Sequence, residues 1–369
     1  MGLTIHKSHG RPTHVSTIAR CAAPAIVVLL AVLGSNAAPA QSGHPPRPAS
    51  ANGPLLVIVQ LSGLMGSPSE IVKMQHGHLI QVLVSHLPYP PMGGLAPSPN
   101  GHTVAFGEAA TIAPGNPPPT QGLWVVPATG GAPRRLLLPP SSVEGNQLGI
   151  GPVAWSPDGS TLAYAVNPAG GVLNTTRPEP GLGLWLTRYD RVHSHLLATP
   201  AQLGAVDTSP SRAPFPIDQL SWSADGRLLA VSTRRPLPGS RQPTQTIPVV
   251  LAVDRRGGSV RVLVSGAKDG VFAPRGRAIA YVANGSGGAA TATLRLAVGP
   301  GYHGRILASG PISSPAWAPD GRSIAYIDGG TVIRTVDATT GRLSVVATLA
   351  GLGRFPAGAQ FVHLTWMHA

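Results

Sequence analysis

The chain has 369 residues, of which 43% are apolar and only 11% are charged, with 46 glycines and 40 prolines. This composition excludes a disordered chain, which pairs turn-forming residues with low hydrophobicity, and predicts many short buried strands joined by tight turns. The formal charge of +13 would suit nucleic acid if basic residues were clustered with aromatic residues between them, but they occur singly or in pairs along the chain. We therefore expect no nucleic-acid partner.

The first forty residues predict a secretory signal peptide. Lys7, Arg11 and Arg20 precede an apolar run over residues 22–34, and small residues around Ala40 offer a cleavage site. The apolar run is too short to span a bilayer comfortably. We expect residues 1–40 to direct export across the cytoplasmic membrane, so that the protein is extracellular or lies in the periplasm or cell envelope.

Cleavage near Ala40 would also remove Cys21, the single cysteine of the chain. The mature protein would then have no disulfide, no catalytic thiol and no cysteine-based metal site. Residues 41–51 have nothing to bury and predict a flexible linker. An uncleaved segment is the alternative; the protein would then be an extracytoplasmic sensor on an N-terminal anchor, and only in that case would it contact a membrane.

The domain from residue 52 to residue 369 repeats one short phrase, an aromatic residue followed by a Ser/Ala-Pro-Asp-Gly turn. The complete copies are residues 97–101 (PSPNG), 155–159 (WSPDG), 222–226 (WSADG), 272–276 (FAPRG) and 317–321 (WAPDG). Pro at the second turn position and Gly at the fourth favour a type I turn. The shortest interval, from Gly276 to Gly321, matches the roughly 40–45 residues of a propeller blade.

A sixth copy is divided between the two ends of the domain. Residues 364–366 match the strand before a turn, and Asn52-Gly53 with the following residues 54–58 match the end of a turn and the strand after it. A repeat shared by the termini is what a closed ring of sheets requires. We predict an all-β six-bladed β-propeller with four antiparallel strands per blade, in which C-terminal strand one and N-terminal strands two to four close the sixth blade.

The second strand of each repeat alternates large with small residues, as in Leu162, Ala163 and Tyr164. A sheet that buries both faces against neighbouring sheets needs this complementarity. The small position is alanine in every complete copy: Ala105, Ala163, Ala230, Ala280 and Ala325.

These repeats resemble those of the TolB-like (WD-like repeat) β-propellers, whose phrase is W-S-P-D-G-x-x-[LI]-A-[YF]. The resemblance covers residues 52–369, with departures at Ala224 and Arg275 of the turn. It implies the propeller fold. Propellers host many unrelated tasks, so it does not imply one reaction.

Antiparallel order places the turns between strands one and two, and between strands three and four, on one rim of the ring. The other rim carries longer connections, predicted at residues 108–122, 139–151, 167–183, 199–218 and 233–248. Function in rigid scaffolds tends to lie on such loops. The candidate partner contacts on this rim are Arg177, Arg212, Asp218, Arg234, Arg235 and Arg241.

No catalytic, metal or cofactor motif is apparent. His76-Gly77-His78 and His193-Ser194-His195 are pairs of the kind that bind metals, but both fall at exposed turns. We expect no cofactor and a monomeric, non-catalytic propeller that binds a protein or an anionic polymer through its long-loop rim. The alternative is a propeller enzyme, a metal-assisted lyase or hydrolase acting on polysaccharide.

Overall fold

The computed structural model describes residues 52–62, 67–87, 91, 93–108, 121–142, 148–168, 179–191, 193–205, 214–240, 245–257, 259–285, 288–299 and 304–368. The predicted signal peptide and linker lie outside the described residues, as do several long connections. Within the described residues the fold is a ring of six four-stranded antiparallel sheets, a six-bladed β-propeller.

Blade six joins the two ends of the domain. It consists of β1 (Leu55–Gln60), β2 (Ser69–Gln75), β3 (His78–Leu87) and the last strand, β24 (Gln360–Trp366), in the order β24-β1-β2-β3. The antiparallel register sets Leu55 opposite Trp366 and Leu56 opposite Thr365. The predicted closure of the ring is confirmed.

The other five blades follow in chain order. Blade one contains β4 (Leu95–Pro97), β5 (Thr103–Glu108), β6 (Gly122–Pro127) and β7 (Arg134–Leu137). Blade two contains β8 (Leu148–Trp155), β9 (Thr161–Pro168), β10 (Gly183–Arg188) and β11 (Ser194–Ala198). Blade three contains β12 (Gln219–Trp222), β13 (Leu228–Pro236), β14 (Thr246–Asp254) and β15 (Val260–Ser265). Blade four contains β16 (Ala267–Phe272), β17 (Ala278–Gly285), β18 (Gly288–Val298) and β19 (Arg305–Gly310). Blade five contains β20 (Ile312–Trp317), β21 (Ser323–Asp328), β22 (Val332–Asp337) and β23 (Leu343–Thr348).

Two one-turn helices, which the sequence reasoning missed, lead from one blade to the next. α1 (Pro200–Leu203) begins with a capping box, in which Thr199 and Gln202 each bond the other's backbone N–H. α2 (Leu349–Leu352) begins at Thr348, whose hydroxyl accepts the N–H of Gly351. Both helices are single turns within connections between blades, and neither adds a layer to the fold.

The core lies between the blades. The alanines predicted to face a neighbouring sheet are all fully buried: Ala105, Ala163, Ala230, Ala280 and Ala325 each have 0% exposure. Ala163, for example, belongs to one buried cluster with Leu220 and Leu229 of the next blade. The alternation of large and small residues along strand two therefore sets how closely adjacent blades pack.

The repeated turn is a small hydrogen-bonded unit. In blade two, Asp158 Oδ1 accepts the Ser156 hydroxyl and the Ser160 N–H, while Ser156 Oγ accepts the Thr161 N–H. Asp225 with Ser223 in blade three, and Asn100 with Ser98 in blade one, make the same bonds. These bonds lower the pKa of Asp158 and Asp225, so both carboxylates are held ionised in the turn.

Several predicted connections are shorter than expected. β8 begins at Leu148, inside the connection predicted over residues 139–151, and β13 and β14 extend into the one predicted over residues 233–248. Arg234 and Arg235 therefore lie on a strand, and their placement on a loop is wrong. Ladder pairing of Arg235 with Ile247 extends this hairpin beyond the buried part of the sheet.

Candidate functional site

A channel runs along the axis of the propeller and encloses a cavity of about 390 Å³. Every blade contributes its innermost strand to the lining, including Ala96, Ala154, Leu220, Val271, Ala316 and Leu364. Prolines of the repeated turns, among them Pro99, Pro157, Pro274 and Pro319, surround one end. We call this end, with the one-to-two and three-to-four turns, the motif rim, and the opposite end the long-loop rim.

The inner-strand tryptophans join neighbouring blades instead of facing a ligand. Trp155, Trp222 and Trp317 donate their indole N–H groups to backbone carbonyls of the preceding blade, at 3.0–3.1 Å. In blade four, where Phe272 has no indole N–H, the backbone N–H of Phe272 bonds the Ser221 hydroxyl of blade three instead. The repeated aromatic is thus primarily structural.

One residue of each blade lies three positions before the aromatic position of the repeat, at the innermost strand. We call these six residues the channel ring. Its members are Gly94, Pro152, Gln219, Asp269, Ser314 and His363. Asp269 and Ser314 both have φ of +53°, a conformation that non-glycine residues seldom adopt. The inner strands are irregular here, with register shifts at several of these positions.

His363 connects blade six to blade one through this ring. Its Nδ1 accepts the Leu95 N–H at 3.4 Å, and its imidazole packs so closely on Gly94 that a Cβ there would overlap the ring. Burial lowers the pKa of His363 to about 4. His363 is therefore neutral near pH 7, as an acceptor at Nδ1 requires.

Asp269 connects blade four to blade five in the same way. Its carboxylate accepts the backbone N–H of Ser314 and lies 3.8 Å from Lys268 Nζ, with 19% of the side chain exposed. Burial nevertheless raises the pKa of Asp269, which means that Lys268 and the Ser314 N–H only partly replace the lost water.

Asp218 lies at the long-loop end of the channel, directly before β12. Its N–H donates to the Ser232 carbonyl of β13, which fixes the backbone there. The residue is exposed, but the surrounding protein limits the hydration of its carboxylate. This desolvation, with a smaller contribution from Asp269 and against the opposing effect of Arg234 and Lys268, raises the pKa of Asp218 to about 6. We call Asp218, Arg234, Lys268 and Asp269 the mouth cluster.

The other predicted contacts separate into different roles. Arg234 is exposed and close enough to Asp218 to influence its ionisation. Arg235 is half-buried, and its Nε donates to the Leu203 carbonyl at the end of α1, so it holds a connection in place. Arg177, Arg212 and Arg241 lie outside the described residues.

The histidine pairs do not converge. His76, His78, His193 and His195 are exposed at the outer turns, and no group of three or more potential metal ligands occurs within the residues that the structure describes.

The described helices are too short and insufficiently apolar to cross a membrane.

Sequence reasoning found Asp218 but missed Lys268, Asp269 and His363. The repeat itself could have identified Asp269 and His363, because both occupy the position three residues before the aromatic. That position lies on an innermost strand, where an ionisable residue has little access to water unless it faces the channel.

Comparison with known proteins supports the resemblance that the repeats suggest. A stretch of 80 residues, 20% of this chain, is 38% identical to the Tol-Pal system protein TolB of Xylella fastidiosa (strain M12). The same length is 36% identical to TolB of Xanthomonas oryzae pv. oryzae (strain PXO99A). The resemblance to the TolB-like propellers is confirmed. The match spans 18% of the length of these curated relatives, and no family model matches the chain.

Solved structures also align with this propeller. An oligogalacturonate lyase in complex with manganese aligns with a TM-score of 0.44 and 13% identity, covering 80% of this chain and 74% of the other. A chain of the mitotic checkpoint complex aligns with a TM-score of 0.41 and 13% identity, covering 86% of this chain and 76% of the other.

Proposed function

We propose that this protein is an exported, envelope-associated propeller that binds a protein partner through its long-loop rim and does not itself catalyse a reaction. The observation that carries the proposal is the mouth cluster, in which the exposed residue Asp218 lies close enough to Arg234 for its ionisation to be affected. The partial similarity to Tol-Pal system proteins and the predicted signal peptide support an envelope location.

The mouth cluster is suited to bind a partner segment that carries a positively charged side chain or amino group. The pKa of Asp218 is raised because its ionised form lacks sufficient hydration and lies near Asp269. A lysine, arginine or α-amino group of a partner would replace the missing solvation and favour ionised Asp218. Binding should therefore weaken as the pH falls through about 6, where Asp218 takes up a proton.

Affinity capture from isolated cell envelopes tests this proposal. We expect the mature protein to retain a specific protein, identified by mass spectrometry, at pH 7.5 and to lose it with the D218N/R234A variant. A variant of equal charge change on the motif rim, D158N/R227A, is the matched control and should retain that protein. An unchanged set of captured proteins with D218N/R234A would contradict the proposal.

Export is tested separately. Mass spectrometry of the native N-terminus should find a chain that begins near Gln41. An intact N-terminus starting at Met1 in the membrane fraction would instead favour the anchored sensor.

A further inference from the structure

Most of the exposed arginines among the described residues lie on one face of the ring. The exposed arginines at or next to the motif-rim turns are Arg134, Arg135, Arg188, Arg191, Arg227, Arg255, Arg256, Arg261, Arg275, Arg277, Arg305, Arg322 and Arg342. Along the chain they look scattered, because each blade contributes only a few. The fold brings them to one rim, because every blade has the same orientation.

The carboxylates on this rim all serve local geometry. Among the described residues they are aspartates of the one-to-two and three-to-four turns: Asp158, Asp190, Asp225, Asp254, Asp320 and Asp337. Each accepts a hydrogen bond from its own turn or, for Asp190, from Arg188. Most of the arginines therefore have no carboxylate partner. Within the described residues, only Arg188 and Arg191 form ion pairs on this rim, both with Asp190.

The long-loop rim is different. Two of its described cations, Arg354 and Lys268, lie within 4 Å of a carboxylate oxygen. Arg354 bonds both oxygens of Glu70 at 3.0 Å. Within the part of the chain that the structure describes, the arginines without an ion pair are therefore found mostly on the motif rim.

Protection of sheet edges explains only part of this pattern. Arg261, Arg305 and Arg342 lie at or beside the start of outer strands, where charges discourage edge-to-edge aggregation. Arg227, Arg277 and Arg322 have no such role, because each directly follows the turn glycine next to an innermost strand. They occupy the same position in three successive blades and are exposed.

Several of the turns on this rim contact a turn of the neighbouring blade. A Cβ on Gly226 would lie 3.6 Å from Pro157 of blade two, and one on Gly321 would lie 3.6 Å from Pro274 of blade four. The Asn52 side-chain amide donates to Asp320 across the closure of the ring. The turns of Arg227 and Arg322 are therefore held against a neighbouring blade, whereas a Cβ on Gly276, before Arg277, would meet nothing within 4 Å. Turns that are supported in this way lose little backbone entropy when their arginines bind a ligand.

We propose that the motif rim binds a linear anionic polysaccharide whose repeated carboxylate, phosphate or sulfate groups contact arginines of several blades. A soluble polyanion fits this face better than a bilayer does. The described residues of the one-to-two turns, which carry Arg227, Arg277 and Arg322, present no exposed large apolar side chain that could enter a lipid layer. The exposed apolar side chains beside this rim, Val298, Ile306 and Leu343, belong to the outer hairpins of blades four and five. This ligand site is separate from the mouth cluster, so the two proposals can fail independently.

Binding of dextran sulfate, with neutral dextran of the same length as the reference ligand, tests the proposal. We expect the mature protein to bind dextran sulfate alone, with an affinity that falls linearly with salt on a double-logarithmic plot. R227A/R277A/R322A should weaken binding by about tenfold or more and reduce the salt slope by about one for each arginine that contacts the polymer. R227K/R277K/R322K, which keeps the charge, should retain most of the binding.

A matched control removes the same charge elsewhere. R177A/R212A/R241A substitutes three arginines predicted from the sequence to lie in long loops and should bind dextran sulfate nearly as well as the native protein. Equal losses in the two triple variants would mean a non-specific effect of net charge and would overturn the proposal. Tighter binding to phosphatidylglycerol vesicles than to dextran sulfate would overturn it in favour of a membrane surface. Unfolding midpoints of all variants should agree to within a few degrees.

Discussion

The tryptophan of the repeat links adjacent blades in three places, at Trp155, Trp222 and Trp317. Each indole N–H crosses a blade boundary to a backbone carbonyl, so the aromatic position holds adjacent blades in register. Trp366 differs: its buried indole N–H has no hydrogen-bond partner among the described residues. The same residue type therefore makes different contributions in different blades.

This difference gives a matched pair of substitutions. W222F should lower the free energy of unfolding by about 1–3 kcal/mol more than W366F, because only W222F leaves a buried carbonyl, that of Ala154, without its donor. Both variants lose similar volume. Urea unfolding measures the two values, and equal losses would show that the indole hydrogen bond contributes nothing.

Asp218 gives a pH-dependent prediction. Its pKa in the folded protein is raised from 3.8 to about 6, so the unfolded chain binds fewer protons between these values and stability falls as the pH rises through them. D218N removes this penalty. It should raise the free energy of unfolding at pH 7.5, by under about 1 kcal/mol because the side chain is accessible, and leave it unchanged at pH 3.5.

Asp225 supplies the control for that prediction. Its turn hydrogen bonds lower its pKa, so its contribution to stability is present above the unfolded value and is lost as the pH falls through the folded one. D225N should therefore destabilise the protein at pH 7.5. A stabilising effect of D225N, or a destabilising effect of D218N at that pH, would contradict the assigned environments.

At the scale of single elements, the small residue of strand two controls the distance between blades. A163L, A280L or A325L should each cost about 1–3 kcal/mol, since these side chains are fully buried and a larger one must displace its neighbours. A350L, at an exposed position of α2, is the control and should be nearly neutral. Thermal unfolding distinguishes the two groups, and a neutral A163L would mean that adjacent blades can separate to admit it.

The strands and turns could be predicted from the sequence because each signal is local and repeats. The alternation of large and small residues predicted the two faces of β9 and β21. The turn phrase predicted where strand two of each complete copy begins. The ends of β13 and β14 could not be predicted, because their pairing extends past the apolar residues on backbone hydrogen bonds alone. The role of Arg235 depends on a contact with α1, which no local pattern reports.

The site was predicted less completely than the fold. Asp218 stood out because it directly precedes an innermost strand, but its interactions with Asp269 and Lys268 join residues of different blades. The cluster of arginines on the motif rim was missed for a related reason: residues that are neighbours around the ring are far apart along the chain. Only after the repeats are superposed do Arg227, Arg277 and Arg322 coincide.

For the whole molecule, stability depends on blade six, since it alone ties one end of the domain to the other. Deleting residues 361–369 removes most of β24, leaving β1 with an unpaired edge and the channel open on one side. We expect loss of the cooperative unfolding transition or a cost above about 4 kcal/mol. Deleting residues 41–51 should change the unfolding midpoint little. A stable, cooperative protein without residues 361–369 would mean that five blades suffice.

The two rims divide the molecule into faces of different chemistry. Among the described residues, the long-loop rim carries the mouth cluster and the Arg354–Glu70 ion pair, whereas most arginines of the motif rim form no ion pair. Such a division would let one ring hold a protein on one side and a polyanion on the other. The binding role of the long-loop rim is the claim on which the proposed function depends.

Photo-crosslinking in living cells tests that claim most directly. A photoreactive phenylalanine analogue would replace exposed Pro216 or Leu237, next to the mouth cluster, or exposed Thr339 on the motif rim as the comparison. We predict a discrete protein adduct from positions 216 and 237 that the D218N/R234A background abolishes, and none from position 339. Adducts that arise only from position 339, or that persist in D218N/R234A, would contradict the proposed function.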